Sequence, residues 1–310
     1  MTNERRNFLK TAALGAGIIA AGSIAKAECA KAAKLPEILD QVNKDQGKQA
    51  QNMCGFAAPP IKNVRIAVIG LGNRGPNAVN RMAKLKGVTV VALCDLIRNR
   101  AEKCQQTLIN LKQPKAKIFS GENGWKDLCK MEDLDLVYIV TPWRLHTPMA
   151  VYAMECGKHA AVDVPAATTV EECWQLVNTS ERTKKHCMQL ENCCYDNFEM
   201  MTLNMTRKGV FGEIVHAEAA YIHDLISLNT TGHYQGRWRL QQNLKRNGNL
   251  YPTHGLGPVS QCMNINRGDQ YSYMTSMSSK DVNLGPAVKA RLKNTPYAKS
   301  ETFRGNMNTS

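Results

Sequence analysis

The run Gly70-Leu71-Gly72-Asn73-Arg74-Gly75 has the spacing that brings backbone N–H groups against a pyrophosphate. Gly70 permits the tight turn, Gly72 lets backbone approach the phosphates, and Gly75 lets the following helix pack closely. Asp95 lies about twenty residues beyond Gly75, where a carboxylate accepts hydrogen bonds from ribose hydroxyls and repels a 2′-phosphate. This favours NAD over NADP, while Arg98 and Arg100 nearby leave some room for the latter. A second group can move protons. His254 and Tyr251 are titratable and sit in a segment bounded by glycine and proline, expected to form a turn facing the cofactor. Tyr221 and His223, two apart on an expected strand, share one face, with Asp224 on the other. Arg239 suits hydroxyl or carbonyl oxygens, although surface stacking on Trp238 is the simpler account. The neighbours Cys193 and Cys194 read as core.

The elements that must position these residues follow a strand-helix alternation. Val64 to Ile69 reads as a buried parallel strand, β-branched and continuous, that runs directly into the glycine turn. A helix from about Pro76 to Leu85, closed by Gly87, and a strand from Val88 to Cys94 follow. Leu136 to Val140 forms the next expected strand, leading into Thr141-Pro142-Trp143-Arg144-Leu145-His146. Ligands of such sheets bind beyond the carboxyl ends of the strands, so Trp143 and His146 fall where a nicotinamide ribose would lie. His159 to Asp163 is a further short strand, Val164-Pro165 a turn, and Val170 to Lys185 an amphipathic helix.

At 310 residues the chain has room for about two domains, each with its own core. The formal charge of +14 is scattered and lacks interleaved stacking aromatics, which argues against nucleic acid. The eleven cysteines form no CxxC pair and no Cys/His spacing for structural zinc, so no metal is expected. They are expected to be buried free thiols, as in a protein that folds in the cytosol before export. Arg5-Arg6 before Phe8-Leu9-Lys10 and a modestly apolar run from Thr11 to Ala25 resemble a twin-arginine signal, with a small-x-small cleavage site at Ala25-Lys26-Ala27. Anchoring as a lipoprotein through Cys29 is disfavoured by Glu28. The expected organisation is a twin-arginine signal peptide over 1–27 and a polar linker over 28–61. An NAD-binding Rossmann domain over 62–190 and a substrate domain over 191–310 follow. After leader removal no membrane-spanning segment is expected, the location is the periplasm, and oligomerisation is left open.

From about residue 62 onward the pattern resembles the Gfo/Idh/MocA group of sugar oxidoreductases. That resemblance implies an α/β fold: an N-terminal Rossmann parallel sheet followed by an α/β domain with an open, mostly antiparallel sheet. Dehydrogenases of the group carry Glu-Lys-Pro where this chain has Asp163-Val164-Pro165, and the missing ammonium argues against ordinary net dehydrogenation. The closer resemblance is to glycoside hydrolase family 109, the NAD-dependent α-N-acetylgalactosaminidases. It rests on Thr141-Pro142-Trp143 with His146-Thr147-Pro148-Met149-Ala150, Val164-Pro165-Ala166-Ala167, and Glu191-Asn192-Cys193-Cys194-Tyr195. Tyr221-Ile222-His223-Asp224-Leu225 and the run from Asn249 to Pro258 complete it.

Carried over residue by residue, the resemblance implies that Asn73, Arg74, Asp95, Trp143, His146, Asp163, Val164 and Asn192 hold NAD. Tyr221, Arg239 and the segment Tyr251-Pro252-Thr253-His254 would meet a glycoside or glycan. The family usually has Glu-Val at Asp163-Val164, so one cofactor contact is a methylene shorter here. Relative to the family the substrate domain is expected to be incomplete at its C-terminal end. The implied chemistry is hydrolysis through transient oxidation at C3, elimination and addition, outside the two-carboxylate scheme. The rival readings are an NAD-dependent sugar or polyol dehydrogenase and a noncatalytic NAD- or carbohydrate-binding protein.

Overall fold

The computed structural model describes residues 51–53, 55–301 and 303–310, together with positions 36, 37, 40 and 44. The expected signal peptide and its cleavage site, Cys29 and most of the linker lie outside the described residues. Strands β1 (Val64–Ile69), β2 (Val88–Asp95), β3 (Lys117–Ser120), β4 (Leu136–Ile139), β5 (His159–Val162) and β6 (Cys187–Gln189) form one sheet in the order β3-β2-β1-β4-β5-β6. Every pairing in it is parallel.

A parallel sheet must be covered on both faces, and the apolar residues supply both. Ala67 and Ile69 of β1 join Val137, Ile139, Ala160 and Val162 in one core. Helices α3 (Gly124–Cys129), α4 (His146–Glu155) and α5 (Val170–Thr183) contribute Leu128, Met149 to Met154 and Leu176 to it. Ile66 and Val68 point the other way, into a core closed by Ala78 and Val79 of α1 (Gly75–Met82) and by Ala101, Cys104 and Leu108 of α2 (Arg98–Asn110). A register shift against β1 between Ile66 and Ala67 lets Val90 and Leu93 of β2 serve that same core. Helix α5 starts where Thr169 accepts from the Glu172 N–H at 3.2 Å while the Glu172 carboxylate reaches back to the Thr168 N–H at 2.6 Å.

The second half is helical: α6 (Asn197–Arg207), α7 (Ile226–Thr230), α8 (Trp238–Lys245), α9 (Thr253–Cys262) and α10 (Leu284–Arg291). Its antiparallel sheet is small, a pairing of β7 (Met277–Ser278) with β8 (Asn308–Thr309). Leu240, Val288 and Leu292 form its buried cluster.

Two expectations need correction. The stretch around Tyr221 belongs to no strand: residues 214–225 form no ladder with any described segment, and the Asp224 carboxylate accepts the Ile226 N–H at 2.9 Å to begin α7. His254 is on the first turn of a helix rather than in a loop. The glycines that look like turn formers serve close approach instead. A Cβ on Gly255 would meet Ala219 at 3.1 Å, and one on Gly257 would meet Cys194 Sγ at 2.8 Å and Glu191 Cγ at 3.1 Å. Helix α9 thus seats against residue 219 and against the turn from Glu191 to Cys194 because two of its positions have no side chain.

Candidate active-site cleft

A cleft of about 1040 Å³ opens beyond the carboxyl ends of β1, β2, β4 and β5, where the sheet order turns outward on both sides of β1. Gly70, Gly72, Asn73, Arg74, Asp95, Trp143, His146, Asp163, Val164 and Asn192 line it, and so do Tyr221, Arg239, Tyr251 and His254. Gly75 lies beneath the turn: a Cβ there would fall 2.1 Å from the Gly70 carbonyl oxygen. Gly70 has φ +93°, and a Cβ would strike the Val140 carbonyl oxygen at 2.4 Å. A Cβ on Gly72 would stand in the open cleft, 3.9 Å from Arg100 Nη1. That is the cradle a pyrophosphate requires, with the start of α1 behind it.

Asp95 ends β2 with its carboxylate accepting the Leu71 N–H at 2.7 Å and the Ile97 N–H at 2.9 Å; Arg100 approaches at 3.4 Å. A carboxylate has about four acceptor positions, so capacity for ribose hydroxyls remains. Arg98 pairs instead with Glu102 at 3.0 Å. Arg74 bridges the cleft to Asp163 at 2.9 Å, and the Asn73 amide donates to the His233 carbonyl at 3.1 Å. The glycine turn is therefore tied both to the end of β5 and to the second half.

His146 reaches the cleft from the base of the loops after β4 and β5. It is buried, and its ring nitrogens lie 2.7 Å from the Pro165 carbonyl and 2.6 Å from the Thr141 carbonyl. Burial pushes its pKa down while the two carbonyls, both acceptors, favour the charged ring, and the ring stands between the loops after β4 and β5. Val164 is buried beside it and brings no amine to the cleft.

At the far end of the cleft Arg239 is buried, not stacked at the surface. Its guanidinium lies 4.6 Å from the centre of Tyr251, 5.4 Å from Tyr234 and 5.7 Å from Trp143, and donates to the Tyr234 hydroxyl at 2.9 Å. Trp238 meets Trp143 edge-on at 5.2 Å. Burial raises the pKa of the Tyr251 phenol, with Arg239 and the Trp143 N–H opposing, so the phenol keeps its proton at neutral pH. Its ring stacks on His254 at 5.0 Å, and Tyr221 stands edge-on to His254 at 4.7 Å while its hydroxyl meets His223 Nδ1 at 2.7 Å. Tyr221 and His223 share a face, as expected, without a ladder. Pro252 and Thr253 do not line the cleft: the Pro252 carbonyl accepts the Leu256 N–H at 2.8 Å and starts α9.

Sequence reasoning gave no role to Glu191 or Tyr234. His254 Nδ1 lies 2.5 Å from Glu191 Oε1, and the Cys193 N–H reaches the same oxygen at 3.0 Å. Burial pushes the Glu191 carboxyl up, but His254, Thr253 and the Cys193 N–H together outweigh it and hold the pKa below the ordinary value. The Cys193 thiol is raised to about 11, chiefly by burial and then by Glu191. Glu191, Cys193 and His254 bring one potential metal-ligand atom each within 4.8 Å of one another. Spacing gave no hint of this group, because its members lie on two elements. The nine described cysteines are all free.

A parallel sheet with a glycine turn, a ribose-directed aspartate and an aromatic-lined pocket beyond it defines a Gfo/Idh/MocA-type NAD-binding protein. Residues 64–190 match the oxidoreductase family with NAD-binding Rossmann fold, and residues 195–310 match the glycosyl hydrolase 109 C-terminal domain. The second half thus carries a glycosyl hydrolase 109 C-terminal domain, and the chain is similar to proteins of that family. It is 47% identical over 263 residues to an alpha-N-acetylgalactosaminidase of Bacteroides fragilis, covering 83% of this chain and 62% of that protein. It is 54% identical over 233 residues to a glycosyl hydrolase family 109 protein of Porphyromonas gingivalis, covering 75% and 49%. The chain thus spans about half to three fifths of the length of these curated relatives. The fold is similar to that of a candidate myo-inositol dehydrogenase from Sinorhizobium meliloti, at a TM-score of 0.55 and 16% identity, covering 73% of this chain and 62% of that one.

Proposed function

We propose that this chain hydrolyses terminal α-linked N-acetylgalactosamine from glycans or glycosides. The observation that carries the reading is the convergence of His254, Tyr251 and Arg239 at one end of the cleft whose other end is the dinucleotide cradle. NAD, when bound, supplies reversible hydride acceptance from C3 of the sugar, so that hydrolysis proceeds with no net oxidation. Gly72 and the start of α1 receive the pyrophosphate, Asp95 the adenosine ribose, and Asn192 and Trp143 the neighbourhood of the reacting ring.

His254 acts as the base. With Nδ1 turned to Glu191, Nε2 is the nitrogen that takes the proton of the C3 hydroxyl. The C3 ketone acidifies the C2 proton; His254, once it has passed the first proton to solvent, takes this one as the aglycone leaves C1, water adds across the resulting C1–C2 double bond, and C3 is reduced again by the returning hydride. Tyr251, kept protonated by burial, donates to the leaving oxygen. Arg239, fixed by three aromatic rings, binds sugar oxygens. Val164 in place of an amine disfavours the dehydrogenase reading, in which a group must polarise the hydroxyl without elimination.

The test is turnover of aryl glycosides of both anomers with and without a 2-acetamido group. Release of the aglycone from the α-linked 2-acetamido sugar, with solvent exchange of a C2 deuterium and no accumulating NADH, supports the reading. Retained label during hydrolysis sinks the elimination route. Steady NADH production without aglycone release establishes the dehydrogenase, and NAD binding without turnover establishes the noncatalytic protein. Export to the periplasm belongs to the same reading and rests on Arg5-Arg6 and the run from Thr11 to Ala25. N-terminal sequencing of periplasmic protein is expected to begin after Ala27.

A further inference from the structure

We propose that Glu191 is the positioning residue of His254, fixing the proton on Nδ1 so that Nε2 faces the cleft as the base. This rests on the assignment of His254 as that base.

Three observations carry it. The carboxylate oxygen lies 2.5 Å from Nδ1, and both side chains are nearly buried, 7% exposed for Glu191 and 11% for His254. The contact is built by backbone approach, since any side chain at Gly257 would strike Glu191 Cγ at 3.1 Å and hold α9 away. Glu191 itself is held by the Cys193 N–H on the same oxygen and by the short 3-10 turn Asn192–Tyr195 that this bond begins. A neutral imidazole carries one N–H, and a carboxylate is acceptor-only, so the pair admits one arrangement: Nδ1 donates and Nε2 holds the lone pair. When Nε2 takes a proton, the adjacent anion offsets the new charge in a water-poor site. The other groups facing His254 are the Tyr221 and Tyr251 rings and the Cys193 thiol. None supplies a second anion, because the thiol keeps its proton up to about 11.

The experiment uses the full chain with saturating NAD, in wild type, Glu191→Gln, Glu191→Asp and His254→Ala. Gln keeps the volume and an oxygen for the Cys193 N–H, so its melting temperature and NAD affinity are expected to stay at wild-type values. Its kcat is expected to fall by about 10²–10⁴-fold with KM within about threefold, and Asp to recover part of the loss. Nitrogen-15 NMR reads the pair independently of turnover. Wild type is expected to show a strongly deshielded Nδ1 proton, absent in His254→Ala and moved upfield in Glu191→Gln. Loss of turnover in His254→Ala with full kcat in Glu191→Gln overturns the proposal and leaves the base assignment standing. Full turnover in His254→Ala overturns both. An unprotonated Nδ1 in wild type, or a metal ion bound stoichiometrically by Glu191, Cys193 and His254 in the isolated protein, also overturns it.

Discussion

The three glycines of the cofactor turn do different work, and single methyl groups separate their roles. At Gly75 the added carbon would lie 2.1 Å from a carbonyl oxygen of the same turn, so Gly75→Ala is expected to cost about 1–3 kcal/mol or more in stability. At Gly72 it would meet only open cleft and the end of Arg100. Gly72→Ala is therefore expected to melt like wild type while weakening NAD binding by about tenfold or more, the methyl standing where the phosphates approach. Thermal unfolding and NAD titration of the two variants check this; equal loss of stability in both would refute the division. Gly70, Gly72, Gly75 and Asp95 were legible because each answers to a local need within one strand-helix-strand unit. The rival account of Arg239, surface stacking on Trp238, fails because its stacking partners come from three separate segments and not from its neighbour in sequence.

At the scale of elements, the β5–β6 edge carries a pH response. The His186 backbone N–H donates to His159 Nδ1 at 2.9 Å, so His159 must be an acceptor there. Burial, with Lys185 and His186 adding to it, pushes its pKa down to about 4. In the unfolded chain the group titrates near 6.5. The unfolded state therefore takes up the proton first as pH falls. The contribution is fully present above about 6.5 and is lost as pH drops toward 4, on the order of 1–2 kcal/mol once solvent access is allowed for. Urea midpoints at pH 7.5 and 4.5 are expected to differ by less in His159→Gln, which keeps an acceptor without titrating. An unchanged pH slope in that variant counts against the assignment. Elements with long β-branched or amphipathic patterns, β1, β2 and α5, could be read from sequence. Lys117-Ile118-Phe119-Ser120 could not: four residues with two apolar side chains have no period, and β3 exists because β2 offers it an edge. Helix α9 was hidden behind Gly255, Gly257 and Pro258, which oppose helix by propensity, although packing against Ala219 and Glu191 demands the two glycines.

Across the whole molecule the cleft is bounded by two halves joined by aromatic contacts of Trp143 with Trp238 and Tyr251 and by polar ties. Asn73 reaches the His233 carbonyl, and Arg246 reaches the Thr168 carbonyl at 2.7 Å. A dinucleotide that fills the cleft adds contacts to both, so NAD at a hundredfold excess over its Kd is expected to stabilise the fold by about 2.7 kcal/mol. NADP is expected to give a much smaller shift in melting temperature, because Asp95 would face its 2′-phosphate. Equal shifts with the two nucleotides would remove Asp95 from that role. Among the described residues no helix is long and apolar enough to cross a membrane.

The sequence by itself determined the parallel sheet, the dinucleotide turn and the family, because these rest on local periodicity and on residues contiguous in the chain. It also placed Tyr251, His254 and Arg239 among the residues that matter. Only the tertiary structure decided how they act. Arg239 is enclosed by rings from residues 143, 234 and 251, His146 spends both ring nitrogens on loop carbonyls, and His254 turns Nδ1 to an acid sixty-three positions earlier. Such contacts depend on how closely two backbones can approach. For His254 and Glu191 that distance is set by the missing side chains of Gly255 and Gly257, which in sequence look only like places for a chain to bend.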